Sequence, residues 1–392
     1  MLRILPIVVG VMLAVACPRP AFAQQSLRQV LSFLLTNRSI PTADFERDEQ
    51  AALATRDVVV QFLQAELSSL PMASPAGGFT YRLDPTLGAT VRASNSFGAF
   101  FTERALTNGQ GQATFGVTFS NASYRDLDNR HLRDGTLVAT ASRLIGDTDP
   151  FDAETVALRI QTQSITVAGH VGLTDRFDVS ASLPLVMVRL DGERVDTYRG
   201  AAFVQASAFA SASGIGDLVI RGKYALWRRG ATGLSFVAEG KLPTGDSENL
   251  LGGGQGVLTP RVIASLERDR IAVHGNVGYA LGGPSASLEF AGAVSVVGHP
   301  RLTVVGEIVG HRLTDGRRLA ESAEPHPDLA GIETIRLIGI PQATTRAVAV
   351  LGFRWNVASK WVVSTNVVHP LTTTGLNAPW ATNFTLDYSI GR

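Results

Sequence analysis

The sequence carries seven histidines: His131, His170, His274, His299, His311, His326 and His369. Histidine is a common metal ligand and a common general base, so its spacing is the first test for chemistry. No pair stands at His-x-His spacing and none completes His-x-x-Glu-His, so a zinc site finds no support. Serines are plentiful, Ser180 and Ser182 among them, but none sits in a Gly-x-Ser-x-Gly elbow. The stretch "PTGDSENLLGGGQG", residues 243–256, has the glycines of a phosphate loop. It lacks the Gly-Lys-Ser/Thr end that would hold phosphate and magnesium, and it reads as a flexible loop whose glycines supply positive φ. These residues name no catalytic centre, no cofactor and no metal, and the chain is expected not to be an enzyme.

Charge does recur at every second position of otherwise apolar stretches. In "GDLVIRGKYALWRRGATGLSFVAEGKLPTGD", residues 216–246, Leu218, Ile220, Gly222, Tyr224 and Leu226 share one face, and Asp217, Val219, Arg221 and Lys223 the other. After a short polar turn, Leu234, Phe236, Ala238 and Leu242 oppose Glu239 and Lys241. Extended along the chain, the charged face collects Arg221, Lys223, Glu239, Lys241, Arg261, His274, Glu289, Glu307, His311, Arg346, Arg354 and Asp387. In a soluble sheet these residues would meet water. In a membrane barrel they would line the lumen, either pairing across strands to stiffen the wall or forming a selective constriction. Closing the turn at Arg229-Gly230-Ala231 by pairing Arg228 with Thr232 puts Arg221 opposite Glu239, and Tyr224 opposite Phe236 on the apolar face.

The elements that carry these residues are strands. Candidates run near 79–92, 97–106, 112–124, 156–173, 176–190, 216–228, 231–243, 257–267, 270–281, 286–297, 301–313, 346–355, 360–370 and 381–391. Most are about 9–13 residues long, against ~5–6 for soluble sheets and ~9–11 for a tilted transmembrane strand. The first contains Pro85 and reads equally as a small separate hairpin. Connections alternate between short ("LTDR", "RRGAT", "ERDR", "GHPR", "NVASK") and longer ones such as 125–155, 191–215 and 314–345. Bacterial outer-membrane barrels keep short periplasmic turns and longer external loops. Trp227, Trp355, Trp361, Trp380 and Tyr279 fall at or near strand ends, as interfacial girdles do.

Residues 26–70 differ from the rest of the chain. "SLRQVLSFLL" reads as a short helix and "PTADFERDEQAALATRDVVVQFLQAELSSLP" as a longer one, with Asp44, Glu46, Asp48 and Glu49 suiting the positive end of its dipole. Ala52, Thr55, Val59, Phe62, Leu63 and Leu67 form a stripe at helical spacing. The segment, 24–77, reads either as a helix packed on the outside or end of a domain, or as a plug at the periplasmic mouth.

Before it, "MLRILPIVVGVMLAVACPRPAFAQQ" has a basic start at Arg3, an apolar run to Cys17 and an Ala21-Phe22-Ala23 cleavage pattern. Residues 1–23 are expected to be a secretory signal peptide. The single cysteine, Cys17, lies within them, so cleavage leaves no disulfide or thiolate site. Losing Arg3 and Arg19 takes the formal charge from +1 to −1, and no basic patch suggests nucleic acid. The chain is 45% hydrophobic yet only 18% charged, below the roughly 25% of soluble domains. Signal peptide, strand length and loop rhythm together favour an all-β transmembrane antiparallel barrel over residues 78–392, of about fourteen strands with twelve as the lower count.

The stretch "SGIGDLVIRGKYALWRRGATGLSFVAEGKLPTGDSENLLGGGQG" resembles outer-membrane proteins of the phenol meta-degradation pathway type. The features that carry the likeness are Gly216-Asp217, Lys223-Tyr224, Leu242 to Asp246 and Gly252 to Gly256, with "GLTDRFDVSASLPLV" upstream. The resemblance covers residues 97–268 and implies a Gram-negative outer-membrane transporter of small hydrophobic or aromatic molecules. A more distant likeness is to long-chain fatty-acid channels, whose N-terminal plug motif is not matched here. The C-terminus "TLDYSIGR" departs from the aromatic ending common in such barrels. The expected partners are outer-membrane lipid, a small-molecule permeant and the outer-membrane assembly machinery. A non-transporting structural or surface-binding barrel is the alternative.

Overall fold

The computed structural model describes residues 25–36, 44–69, 81–84, 89–92, 94–283 and 285–390. The expected leader, residues 1–23, lies outside them. Twelve antiparallel strands form the wall: β1 Ala113–Tyr124, β2 Asp152–Gly172, β3 Phe177–Tyr198, β4 Leu218–Arg229, β5 Thr232–Leu242 and β6 Val257–Arg268, then β7 Ile271–Gly282, β8 Ser287–His299, β9 Leu302–Leu313, β10 Thr344–Ala358, β11 Trp361–Pro370 and β12 Ala381–Ile390. Each pairs with the next in the chain, and β12 pairs back with β1. The barrel is therefore closed, and no wall strand is left with an unpaired edge over the paired length. Five connections of two to four residues lie at one end, hereafter the turn end; those at the other, the loop end, are of ten residues or more except the four between β7 and β8.

Twelve of the fourteen candidate strands build this wall. Residues Tyr81–Asp84 and Ala89–Arg92 pair only with each other, as a small separate hairpin. The expected strand at 97–106 is no strand: it is irregular chain inside the barrel. The reason lies in its charges. Strand alternation would put Glu103 on one face and Arg104 on the other, so either registration carries a charge into lipid.

β2 and β3 are 21 and 22 residues long, more than a membrane needs. Along them the environment inverts. Near the turn end Ile165 and Val171 point out and are exposed, while Thr162, Ser164, Thr166 and His170 point in. Beyond residue 161 toward the loop end, Gln161 and Arg159 point out, and Val156, Leu158 and Ile160 are buried inside. β3 does the same, with Arg189, Asp191 and Glu193 outside and Val186, Val188 and Leu190 inside. The strands run on while lipid gives way to water outside and a polar lumen gives way to an apolar core within. The expected loops 125–155, 191–215 and 314–345 thus hold sheet: Ala201–Ile215 continues alongside β3, and Leu137–Leu144, Ile332–Pro341 and Arg317–Pro325 extend the wall beside β2.

Two helices cover the inner face of this extension. α1, Leu27–Leu35, starts at a capping box of Ser26 and Gln29 and buries Leu27, Val30, Leu31, Leu34 and Leu35. Gly192 leaves room for Leu34, where a Cβ would collide with its side chain. α2, Phe45–Ser69, buries Ala52, Thr55, Val59, Phe62 and Leu63 of its expected stripe. Thr55 Oγ1 donates to Leu337 O (2.9 Å), and Arg336 pairs with Asp48 (2.7 Å) and Asp44 (2.8 Å). Both helices therefore sit at the loop end. The placement expected for them, at the mouth bordered by the short turns, is not what is found. Their apolar stripe packs on the apolar inner surface of the extension, and that surface lies above the lipid-facing belt.

Candidate functional site

The turn-side half of the lumen is filled by residues 94–108, most of which the sequence pattern assigns to the wall. This segment has no secondary structure to satisfy its backbone, so wall side chains do so. Glu307 accepts from the backbone N–H groups of Phe100, Phe101 (3.0 Å) and Thr102 (2.9 Å) and from Thr102 Oγ1 (2.9 Å). Glu267 accepts from Asn95 N (2.7 Å) and Ser94 Oγ (2.6 Å). Arg354 donates to Ala99 O (2.8 Å) and to Asp387 (3.0 Å), with its guanidinium 5.0 Å from the Phe100 ring centroid. Lys223 donates to Leu106 O (3.0 Å), and Asp178 accepts from Asn108 N (2.8 Å). Asn276, with its amide turned to suit, accepts from Glu103 N (2.7 Å) and donates to Glu103 O (2.9 Å).

Ser265 and His274 form the pairing most like a nucleophile and its base, Oγ to Nδ1 at 2.9 Å. Both are buried under the segment, and Ser265 Oγ already accepts from Ala105 N (2.8 Å). The pair is an anchor. His170 likewise serves Asp178 (2.9 Å), so the inward histidines of separate strands are not gathered into one site. Among the described residues no cluster of His, Cys, Asp and Glu is arranged to hold a metal.

Above the segment runs a ladder of charge. Glu103, from the segment itself, meets Arg221 (3.3 Å); Arg221 donates to Glu239; Glu239 meets Arg261 (3.3 Å); and Arg261 meets Glu289 (2.6 Å). The ladder borders a cavity of about 170 Å³, lined also by Lys241, Asn276, Val309, His311 and Leu313 of the wall. Phe101 borders it on the turn side, and Gln61, Gln64 and Ala65 of α2 border it on the loop side.

The glycine-rich loop 243–256 borders the cavity through Gly253 and Gln255, and it is built rather than slack. Asp246 accepts from Glu248 N (3.0 Å) and from the Asn249 side chain (2.7 Å), and Leu250 and Leu251 are buried in the core that includes α1. Asp217 accepts from Gly245 N (3.1 Å) and Gly253 N (2.7 Å) and meets Lys241 at 3.6 Å. A side chain at Gly252 would strike Asp217.

The twelve inward residues read from the sequence thus divide by depth. Lys223, His274, Glu307, Arg354 and Asp387 hold or support the inner segment; Arg221, Glu239, Lys241, Arg261, Glu289 and His311 line the cavity; Arg346 lies beside Phe62 of α2 near Gly375. The strand pattern does not single out Glu103, Asp178 and Glu267. For Glu103 the signal is the charge on both faces of 97–106, which no lipid-facing strand could carry.

Residues 136–316 match the family model described as "Putative MetA-pathway of phenol degradation". The match spans β2 to β9, the glycine-rich loop and most of the ladder. No curated protein matches the chain. Among solved structures, the chain is similar to an outer-membrane channel from Pseudomonas putida F1, with 13% identity over 71% of this chain and 95% of that one, at a TM-score of 0.44. It is also similar to the toluene transporter of Ralstonia pickettii (10%, 72% and 89%, TM-score 0.27). A FadL homologue of Pseudomonas aeruginosa matches at 8%, 71% and 88%, with a TM-score of 0.30.

Proposed function

We propose that the chain is an outer-membrane channel that passively admits small hydrophobic or aromatic molecules. The carrying observation is the lumenal cavity between Phe101 and α2. At about 170 Å³ it is close to the ~150 Å³ hydrocarbon cavity that takes a benzene ring. Its wall is partly apolar and its charges are already paired, so an uncharged guest displaces no counter-ion. The barrel's outer face supports a lipid setting: Trp227, Trp355 and Trp361 stand exposed near the turn end, and Tyr279 and Trp380 near the loop end. By the rule for bacterial barrels the short turns face the periplasm, which puts α1 and α2 outside and residues 94–108 on the periplasmic side. Residues 1–23 would direct export, and insertion would fall to the outer-membrane assembly machinery.

A structural or surface-binding barrel is the second reading, and the dense bonding of residues 94–108 favours it. Planar-bilayer recording of the purified protein separates the two. Reproducible conductance steps, reduced by small aromatic solutes, support the channel; a silent bilayer holding folded, heat-modifiable protein supports the structural barrel.

A further inference from the structure

Of the six ionisable side chains on the cavity wall, five have a partner of opposite charge. Arg221 has Glu103 and Glu239, Arg261 has Glu239 and Glu289, and Lys241 has Asp217. His311 is the sixth. It stands between Glu289 and Arg346 in register, yet no hydrogen bond joins its side chain to any described residue. His311 is part-buried and contributes to the lining of the cavity. On its own strand Val309 and Leu313 flank it on the same face, and Phe101 lines the cavity below. An imidazole without a charged partner thus stands where the ladder, at Glu289, meets the apolar side chains of Val309 and Leu313.

We propose that His311 is a specificity-determining residue, selecting small aromatic molecules that carry one hydrogen-bonding group over bare hydrocarbons of the same size. The inference rests on the channel reading above and deepens it. The ring of the guest lies against Val309 and Phe101, and its hydroxyl or similar group meets the imidazole, which can donate or accept. A bare hydrocarbon fills the same space but leaves the imidazole dry and unpaired, which is the costlier outcome for a buried polar group. The converse also holds: charged guests are disfavoured, because the ladder already balances its own charges.

The test uses the full protein in lipid nanodiscs, with 4-fluorophenol and fluorobenzene as probes read by fluorine NMR and empty nanodiscs as the partition control. The expected result is saturable binding of 4-fluorophenol several-fold tighter than fluorobenzene, the scale of one net hydrogen bond. His311→Leu should equalise the two probes, and His311→Gln, which keeps a hydrogen-bonding group, should restore the preference. Retained heat-modifiability shows that each variant is folded. Equal binding of both probes to the wild type, or a preference unchanged in His311→Leu, overturns the role of His311 alone. Absence of saturable binding of either probe overturns this inference together with the permeant reading it rests on.

Discussion

Arg221 on β4 stands directly opposite Glu239 on β5, and its Nε donates to the Glu239 carboxylate. The sequence predicts that pairing from a three-residue turn closed by Arg228 and Thr232. The turn is in fact two residues, closed by Arg229 and Thr232, with Gly230 at φ +63° in its first position. A bulge between Ala225 and Trp227 absorbs the difference, so Arg221 still meets Glu239 and Tyr224 still meets Phe236 on the lipid face. The register is set by which residues tolerate lipid, and the turn accommodates it. Cysteines substituted at 221 and 239 should therefore crosslink readily, while Ile220→Cys with Glu239→Cys should not. Efficient crosslinking of the second pair would show the faces reversed.

Breaking the same pair has an energetic consequence. Arg221→Ala takes the guanidinium away from Glu103 and leaves Glu239 to Arg261, all of them well buried but Arg261, which is nearly so. Removing one member of a buried ion pair costs about 3–5 kcal/mol. The variant should unfold at clearly lower denaturant than wild type in detergent, and Arg221→Lys should recover only part of the loss because a lysine cannot serve two carboxylates in one plane.

Glu307 is the densest anchor of the inner segment, so Glu307→Ala strips acceptors from three backbone N–H groups at once. The barrel closes through its twelve strands and does not need them. Single-channel conductance should rise several-fold in Glu307→Ala with the heat shift on gels preserved. Unchanged conductance would mean that residues 94–108 do not obstruct the path.

The parts legible in the sequence are those where lipid imposes one rule. Wherever an apolar face must meet hydrocarbon, as on Val273, Val277 and Tyr279 of β7, period two holds for a whole strand and the strand is found where expected. Residues 97–106 obey no such rule, because an inner segment is shaped by whichever wall groups it meets. The extension is hidden for a related reason: the apolar phase flips between Ile160 and Ile165, which reads locally as the end of a strand. The end at which the helices dock cannot be read from their own stripe, since that depends on where Val188 and Leu190 present a matching surface.

That phase flip is itself testable. Leu190 points inward against the core that includes α1, and its neighbour Arg189 points out into water. Leu190→Ala should cost about 2–5 kcal/mol of local stability, seen as faster hydrogen exchange in residues 27–35. Arg189→Ala should leave that exchange within error of wild type. Similar effects from both would place the extension in lipid and remove the inversion.

At the tip of the extension, outside the lipid-facing belt, Asp152 carries a carboxyl pushed up to about 7 by burial first, then by Asp196 and Glu154. Arg194 reaches Glu154 at 3.9 Å, which leaves the two aspartates facing each other. The folded state therefore holds a proton that the unfolded chain releases near its ordinary value of 3.8. Stability from this group is complete below that value, falls as pH rises, and is lost once pH passes about 7. Hydrogen exchange in residues 152–156 and 194–198, corrected for the intrinsic rate, should show protection declining across that window. Asp152→Asn keeps a neutral hydrogen-bonding side chain at every pH, so it should hold the tip closed at neutral pH and flatten the profile. A profile of the same slope in Asp152→Asn would assign the titration to another group.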